Sequence, residues 1–270
     1  MVNVLKATGE IEPFSDDKII SSIRRAGIPK NLQDMTLNHV KSKLYENIPT
    51  SEVYKHITEF LDKQPKQFKD KYGLKQAIMD LGPTGYPFED YVSEVLKTKG
   101  YTTEVRSILT GRCVTHEIDV IAEKPNSEKL MIEAKFHNAS GIKTDIHVSL
   151  YTKARFEDLK DKYKFDRAWI FTNTKITADA LTYALCVNMG VVSWSYPEHV
   201  GLRDLVEKEK LYPVTILSSL SHVQKQTLLD SHIVLVKDIC KNKEILDILR
   251  LQPDKKSQIR KEAEFICSLN

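Results

Sequence analysis

The segment GPTGYP, at residues 82–87, constrains the fold of this chain more than any other feature. Two glycines and two prolines in six residues cannot continue a helix, so the segment marks a boundary. Before it, apolar residues recur at the three-to-four-residue spacing of amphipathic helices. Beyond it, strand-like apolar runs alternate with helical stretches. This change of periodicity predicts more than one domain within the 270 residues.

The part before the boundary is predicted to be a small hairpin followed by helices. Residues 3–12 are expected to form a hairpin that turns at Thr8–Gly9. Ser15 is a suitable N-cap for the first helix, and Gly27 is a suitable stop. Further helices are expected over residues 35–48, from the cap Thr50 onward, and over 67–81.

The part after the boundary predicts an α/β fold with a mixed sheet, because helices and strands alternate along it. From about residue 215 onward the sequence shows only short amphipathic helices. The fold class is therefore α/β multidomain, with predicted domains at 1–82, 83–214 and 215–270. Helices are predicted at 88–98, 144–163 and 176–189, and strands at 101–109, 117–123, 129–136, 167–172 and 191–195.

Composition and charge describe an ordinary intracellular chain. The net charge is only +3, so any contact with nucleic acid must come from a local basic patch. No apolar signal segment and no run long enough to span a membrane is present, which favours a cytoplasmic location without membrane contact. The cysteines are scattered without a Cys-x-x-Cys pair, which predicts reduced thiols and neither zinc nor disulfides, at Cys113, Cys186, Cys240 and Cys267.

Four polar residues form a candidate catalytic set in the middle part. Glu133 and Lys135 are two apart in a predicted strand and therefore face the same side. Asp119 lies in the preceding strand, and Glu89 lies at the start of the helix that opens the domain. Carboxylate oxygens suit Mg²⁺ or Mn²⁺, and a bound cation activates water and stabilises charge on a phosphate. These residue types match what phosphodiester hydrolysis requires.

The chain resembles the PD-(D/E)xK nucleases, and most of all their Mrr-like restriction endonuclease branch, in the order Phe88-Glu89, Gly100-Tyr101, Ile118-Asp119 and Glu133-Ala134-Lys135. The resemblance covers roughly residues 84–200. It implies that Asp119 and Glu133 are metal ligands, that Lys135 positions the attacking water, and that Glu89 contacts the metal through water.

The chain departs from this pattern at two places. His116-Glu117 precede the Ile-Asp pair where relatives often have Asp-Gly or Gly-Gly. The helix after the last motif strand lacks the usual glutamine and offers Tyr151 and Arg155 instead. Two histidines near the set, His137 and His147, are interpreted as structural.

The segment VLKATGEIEPFSDDKIISSI, residues 4–23, resembles the opening of an ATP-cone domain. The resemblance covers about residues 2–82 and implies binding of ATP or dATP. Two lysines are sufficient to neutralise much of a triphosphate. Ala7 stands where the family usually has arginine, which removes one phosphate donor. The implied nucleotide-binding residues are Val4, Leu5, Lys6, Glu12, Lys18, Thr50 and Tyr54.

The C-terminal part is similar in spacing to helix-hairpin-helix or SAM-like bundles. Ser231-His232 stand where the DNA-binding versions would have glycine. Phosphate contact by a basic cluster and a protein-contact role both stay open for this part. The cluster comprises Lys255, Lys256, Arg260 and Lys261.

The sequence predicts a metal-dependent DNA endonuclease regulated by ATP or dATP, with defence against foreign DNA as its setting. The alternative is a nucleotide-responsive DNA-binding regulator with an inactive nuclease fold. The predicted partners are DNA and a purine nucleotide. A homo-oligomer is also expected, because related cones change their association state with the bound nucleotide.

Overall fold

The computed structural model describes residues 2–6, 9–25, 28–64, 72–139 and 141–268, and it divides into two units, Met1–Gln76 and Ala77–Asn270. The predicted boundary lies after residue 82, whereas the structural division comes before Ala77. The reason is local packing: Ile78 is buried, and the Ala77 carbonyl accepts a hydrogen bond from Thr215 Oγ1 at 2.5 Å. The second unit therefore holds the segments 83–214 and 215–270, whose division into two domains stays a prediction.

The first unit is a three-stranded sheet with helices packed against it. Strand β1 lies in the centre, antiparallel to β2 and parallel to β3. The predicted hairpin is confirmed. The helix predicted over residues 35–48 is wrong at its end, because the observed helix stops at Lys41 and Ile48–Pro49 pairs with β1 as strand β3. Buried Ile23, Val40, Ile48 and Ile57 belong to its core. The predicted turn residue Thr8, the stop Gly27 and residues 65–71 lie outside the described residues, as does Ala7. The elements are β1 (Asn3–Leu5), β2 (Ile11–Pro13), α1 (Asp16–Arg25), α2 (Lys30–Lys41), β3 (Ile48–Pro49), and α3 (Thr50–Leu61).

The second unit contains a five-stranded mixed sheet in the order β10-β8-β6-β5-β4. Strands β4, β5 and β6 form an antiparallel meander, and β6, β8 and β10 are parallel. This confirms the predicted mixed α/β fold. The division between the units falls within α4 (Leu74–Met79). The elements that follow it in this part are α5 (Tyr86–Thr98), β4 (Thr102–Thr110), β5 (Thr115–Lys124), β6 (Glu128–Lys135), β7 (Lys143–Thr144), α6 (Ile146–Tyr163), β8 (Arg167–Thr172), β9 (Lys175–Ile176), α7 (Ala178–Cys186) and β10 (Gly190–Val192).

Neighbouring positions near the end of β6 face different helices, as strand geometry requires. Phe136 packs against Phe88 of α5, with ring centroids 5.6 Å apart. Glu133 instead meets Arg155 of α6. The end of β6 is thus enclosed between α5 and α6, and Glu133 and Lys135 share the side that faces α6.

Helices complete the second unit, as predicted for the C-terminal part. They are α8 (Leu202–Glu209), α9 (His222–Asp230), α10 (Val236–Lys241) and α11 (Pro253–Ser268), with short 3₁₀ turns at Val214–Ile216 and Lys243–Leu249. None of the described helices combines the length and the apolar composition needed to cross a membrane.

One prediction about the cysteines is wrong. Cys240 of α10 and Cys267 of α11 form a disulfide across 27 residues, because the two helices pack against each other. Cys113 and Cys186 are free and exposed, as expected. Scattered spacing along the chain gave no sign of the pair, since helix packing and not sequence proximity brings the two residues together.

Candidate active site

The antiparallel pairing of β5 with β6 places Asp119 across from Glu133. The ladder pairs Val120 with Ile132, and Asp119 and Glu133 are the next residues along this register. Residues that oppose each other in an antiparallel pair project to the same face of the sheet. Two carboxylates therefore share one sheet face at the point where β5 and β6 separate.

A main-chain hydrogen bond fixes the orientation of Asp119. Its Oδ2 accepts from the N–H of Ala134, with a distance of 2.7 Å between nitrogen and oxygen. Lys135 lies two residues beyond Glu133 and projects to the same face. Burial raises the pKa of both Asp119 and Glu133, and the Lys135 ammonium opposes this shift in both. The structure thus brings together three of the four residues predicted from the sequence.

Arg155 of α6 covers this face of the sheet. Its guanidinium donates to Glu133 Oε2 and lies 5.0 Å from the centroid of the Tyr151 ring. Arg155 is 6% exposed, and its Nε has no hydrogen-bond partner. At the place of the family glutamine, the chain thus has the buried cation Arg155, which packs against the aromatic ring of Tyr151.

Glu89, the fourth predicted residue, lies in the first turn of α5 and is 8% exposed. Its Oε2 accepts from Arg106 of β4 at 3.1 Å, and the same guanidinium donates to Asp90 Oδ1 at 2.7 Å. Arg106 lies opposite Asp119 in the register of β4 with β5, between Val105–Val120 and Ser107–Ile118. Its contact with Glu89 therefore places the fourth predicted residue beside the same site.

Burial and like charge dominate the electrostatics of this site. Burial raises the pKa of Glu133 to about 7; Asp119 adds to the shift, while Arg155 and Lys135 oppose it. Burial, followed by the Asp119 charge, also raises the pKa of Glu89 to about 7. Burial raises the pKa of Asp119 against the effect of the Ala134 N–H. Ionisation of all three carboxyl groups at the same time is therefore energetically unfavourable. Such shifted pKa values are common at functional sites.

The donor chemistry fits a hard divalent cation. The Asp119 carboxylate raises the pKa of Glu133 on the same sheet face, and a cation between the two would relieve this repulsion. Asp119 and Glu133 are the residues that would hold it. Within the described ranges, no three histidine, cysteine, aspartate or glutamate side chains are grouped to hold a metal ion together. Glu89 is paired with Arg106, so its contact with a metal stays a prediction.

The residues predicted for nucleotide binding lie around the hairpin of the first unit. Glu12 bridges two lysines, with Oε2 2.8 Å from Lys6 Nζ and Oε1 2.8 Å from Lys18 Nζ. Val4 and Leu5 pair with β3, which leads directly into Thr50 at the start of α3. The Tyr54 ring stacks on Tyr72 at 5.2 Å. The structure thus brings Lys6, Glu12 and Lys18 together.

The two histidines near the catalytic set make local contacts. His137 Nε2 lies 3.1 Å from Thr144 Oγ1. The side chain of Asn173 accepts a hydrogen bond from the His137 main-chain N–H and donates one to the His137 carbonyl. His147 is exposed and lies beside Asp145, the cap of α6. The sequence interpretation missed Arg106 and Asp90, since only the three-dimensional pairing of α5 with β4 shows their proximity to Glu89.

Comparison with known proteins agrees with this geometry. The family described as "Restriction endonuclease" matches residues 83–198, and the family described as "AF1548-like, C-terminal" matches residues 212–267. The chain therefore carries a restriction endonuclease-like domain that contains the whole candidate active site.

Individual relatives extend this relationship. An "Uncharacterized protein" of Archaeoglobus fulgidus is 44% identical over 126 residues, which span 47% of this chain and 71% of the relative. The crystal structure of the "Protein of Unknown Function AF1548" is 36% identical, with a TM-score of 0.61 over 69% of this chain and 100% of its own. The chain belongs to the AF1548-like family.

A repair endonuclease from Pyrococcus abyssi is also similar, at 17% identity over 37% of this chain and 41% of its own. Its TM-score of 0.30 is too low to carry an argument about this protein.

Proposed function

We propose that the protein is a metal-dependent DNA endonuclease. The observation that carries the proposal is the pair of half-buried carboxylates, Asp119 and Glu133, on one sheet face with Lys135 beside them. Their position within a restriction endonuclease-like domain supports DNA as the substrate. The reaction is hydrolysis: the oxygen of water bonds to phosphorus, and the bond from phosphorus to the leaving sugar oxygen breaks.

Each side chain has a role that its position supports. Asp119 and Glu133 would hold a divalent cation, which when bound would stabilise charge on the phosphate and lower the pKa of water. Lys135, on the same face, orients the attacking water and stabilises the negative charge that develops on the phosphate. Arg155 balances the charge of Glu133 from the helix side. These roles follow the pattern implied by the resemblance to the PD-(D/E)xK nucleases.

We also propose that the first unit binds a purine nucleotide that regulates the enzyme. The supporting observation is the convergence of Lys6 and Lys18 on Glu12, because both ammonium groups would be available to a triphosphate after Glu12 is displaced. Assembly into a homo-oligomer in response to ATP or dATP is part of this proposal. Light scattering across a titration with each nucleotide measures it. An unchanged molecular mass despite nucleotide binding contradicts regulated assembly.

The central proposal is tested by cleavage of supercoiled plasmid DNA with Mg²⁺, with Mn²⁺, and with a chelator. The parent protein should nick or linearise the plasmid only with a divalent metal. Asp119→Asn should be inactive. Asp166→Asn is the matched control, since Asp166 Oδ2 accepts from the main-chain N–H of Lys129 at 2.7 Å and thus resembles Asp119 at the other end of β6.

The same experiment separates the two candidate functions. Plasmid binding without cleavage under every metal condition contradicts the nuclease and supports the nucleotide-responsive DNA-binding regulator. Cleavage that persists in the chelator, or in Asp119→Asn, shows that the chemistry lies elsewhere. The intact set of four residues favours the enzyme.

A further inference from the structure

We infer that Arg106 is a positioning residue of the active site, and that the C-terminal part of the chain completes the site by holding Arg106 through His232 and Asp90. The inference rests on the proposed nuclease function. It adds a residue outside the predicted catalytic set, and it assigns a role to the segment 212–267.

The contacts of Arg106 divide its guanidinium between two acidic residues of α5. Nη1 lies 3.1 Å from Glu89 Oε2, and Nη2 lies 2.7 Å from Asp90 Oδ1. The guanidinium also lies 5.7 Å from the centroid of the Tyr86 ring, and Nη1 is 3.4 Å from the Tyr86 carbonyl. A planar fork held at several points has little freedom to rotate. The Glu89 carboxylate is consequently held in a single orientation.

The backbone of β4 is distorted at this residue. Arg106 has a φ of 54°, a left-handed conformation that residues other than glycine seldom adopt. The ladder with β5 runs through Val105 opposite Val120 and resumes at Ser107 opposite Ile118. Arg106 thus occupies the interruption in the ladder, at the position of Asp119. The sheet retains an unfavourable conformation where it directs this arginine toward α5.

The C-terminal part contacts the same network. Nδ1 of His232, in the turn between α9 and α10, lies 2.9 Å from Asp90 Oδ2 and donates to it. Arg106 Nη2, itself a donor, lies 3.4 Å from the same nitrogen, so the imidazole holds the guanidinium through Asp90. The two oxygens of Asp90 therefore serve different partners, one in the strand layer and one in the C-terminal helices. His232 itself has a φ of 59°, at the turn where glycine is the usual residue.

These contacts set an order of importance. Arg106, Glu89 and Asp90 are mostly buried, whereas the His232 side chain is 69% exposed. Loss of the guanidinium should therefore disturb Glu89 more than loss of the imidazole does.

The role of Arg106 is distinguishable from a simple charge effect. Removal of a positive charge near a cation site strengthens cation binding if charge alone matters. Loss of a residue that orients a neighbouring carboxylate weakens it, typically by about tenfold to a hundredfold. Arg106→Lys keeps the positive charge but loses the planar guanidinium that donates to two carboxylates. A positioning role therefore predicts weaker cation binding in Arg106→Lys as well as in Arg106→Gln.

The experiment measures Mn²⁺ binding by calorimetry and plasmid cleavage in the same set of full-length variants. We expect Arg106→Gln and Arg106→Lys to weaken Mn²⁺ binding about tenfold and to lower kcat by a similar factor. Asp90→Asn should change both quantities in the same direction. His232→Asn should have a smaller effect of about threefold.

Matched controls come from residues of the same type outside the network. Arg167→Gln removes an arginine–glutamate pair of the same sheet, and His199→Asn replaces another exposed histidine with a positive φ, 64°. Both should behave as the parent protein does. Thermal unfolding of each variant shows that the fold is intact, and Asp90→Asn serves as the test of Arg106 if either substitution there prevents folding.

The outcomes separate this inference from the proposed function. Equal or tighter Mn²⁺ binding by Arg106→Gln, or parental behaviour of Arg106→Lys, overturns the positioning role. Parental behaviour of His232→Asn overturns the role of the C-terminal part. A parent protein that binds Mn²⁺ without cutting DNA contradicts the proposed function, and the Mn²⁺ measurements then still decide on Arg106.

Discussion

The carboxylates of the candidate active site and the carboxylate of the N-terminal hairpin lie in opposite electrostatic surroundings. Asp119 and Glu133 are like charges on one buried sheet face, and burial raises the pKa of both. Glu12 is accessible to water between two lysines, and the hydrogen bond from Lys18, followed by that from Lys6, lowers its pKa.

This difference shows what each region requires. Buried like charges are unfavourable unless arginines, protons or a bound cation compensate them. Opposite charges at the surface compensate each other and need no ligand. Sequence resemblance points to a ligand in both regions, but only the active site has an electrostatic need for one.

The largest effect is expected from Lys135→Ala. Loss of the ammonium beside the carboxylate pair should reduce DNA cleavage at least about a hundredfold, with thermal stability unchanged. Lys129→Ala is the matched control, because Lys129 lies in the same strand at the end away from the site. Equal cleavage by both variants would place the chemistry outside the carboxylate pair.

A stability measurement sharpens the contrast between the two regions. Arg155→Ala leaves Glu133 buried without its partner and should lower the free energy of unfolding by about 3 kcal/mol. Lys18→Ala removes a surface ion pair and should leave the free energy of unfolding unchanged within error. Urea denaturation at pH 7 measures both. Similar losses in the two variants contradict the comparison.

Nucleotide binding tests the surface region directly. If Lys6 and Lys18 contact a triphosphate, Lys18→Ala should weaken ATP and dATP binding about tenfold, the usual effect of one charge-assisted hydrogen bond. Lys55→Ala is the control, since Lys55 is an exposed lysine of α3 outside the hairpin. Calorimetry that detects no nucleotide binding by the parent protein contradicts the ATP-cone assignment.

The smallest effect concerns the pH dependence of the metal-free protein. The pKa of both Glu89 and Glu133 is about 7 in the folded state and near 4.5 in the unfolded state. The folded protein therefore binds more protons between these values, and its free energy of unfolding falls as pH rises from about 4.5 to 7.

Asp119→Asn removes one of the like charges and should make this decline shallower. At pH 8 the variant should gain about 1 kcal/mol relative to the parent, with little change at pH 4.5. Denaturation in the presence of a chelator measures this difference, and Asp166→Asn is again the control. A parental slope in Asp119→Asn would show that the carboxylates do not interact.

Most helices and strands could be predicted from the sequence, because the spacing of apolar residues that indicates them lies within each segment. The strand around Glu133 and the helix that begins near Glu89 follow from apolar spacing and from the GPTGYP boundary. The two-residue strand β3 and the Cys240–Cys267 disulfide were not predictable, because both depend on contacts between residues distant in the chain.

The acidic members and the lysine of the site were predictable from their order along the chain. The arginines that hold them were harder to assign. Arg155 was noted only as a departure from the family, and Arg106 was missed. Their roles depend on how α6 and α5 pack against the sheet, which spacing along the sequence does not specify.

The central claim is that Asp119 and Glu133 together hold a divalent cation. The most direct measurement is anomalous diffraction from crystals of the full chain soaked with Mn²⁺. We expect one anomalous peak bonded to oxygens of both carboxylates, at roughly 2.1 Å. The absence of a peak at saturating Mn²⁺, or a peak that does not touch both carboxylates, would contradict the account.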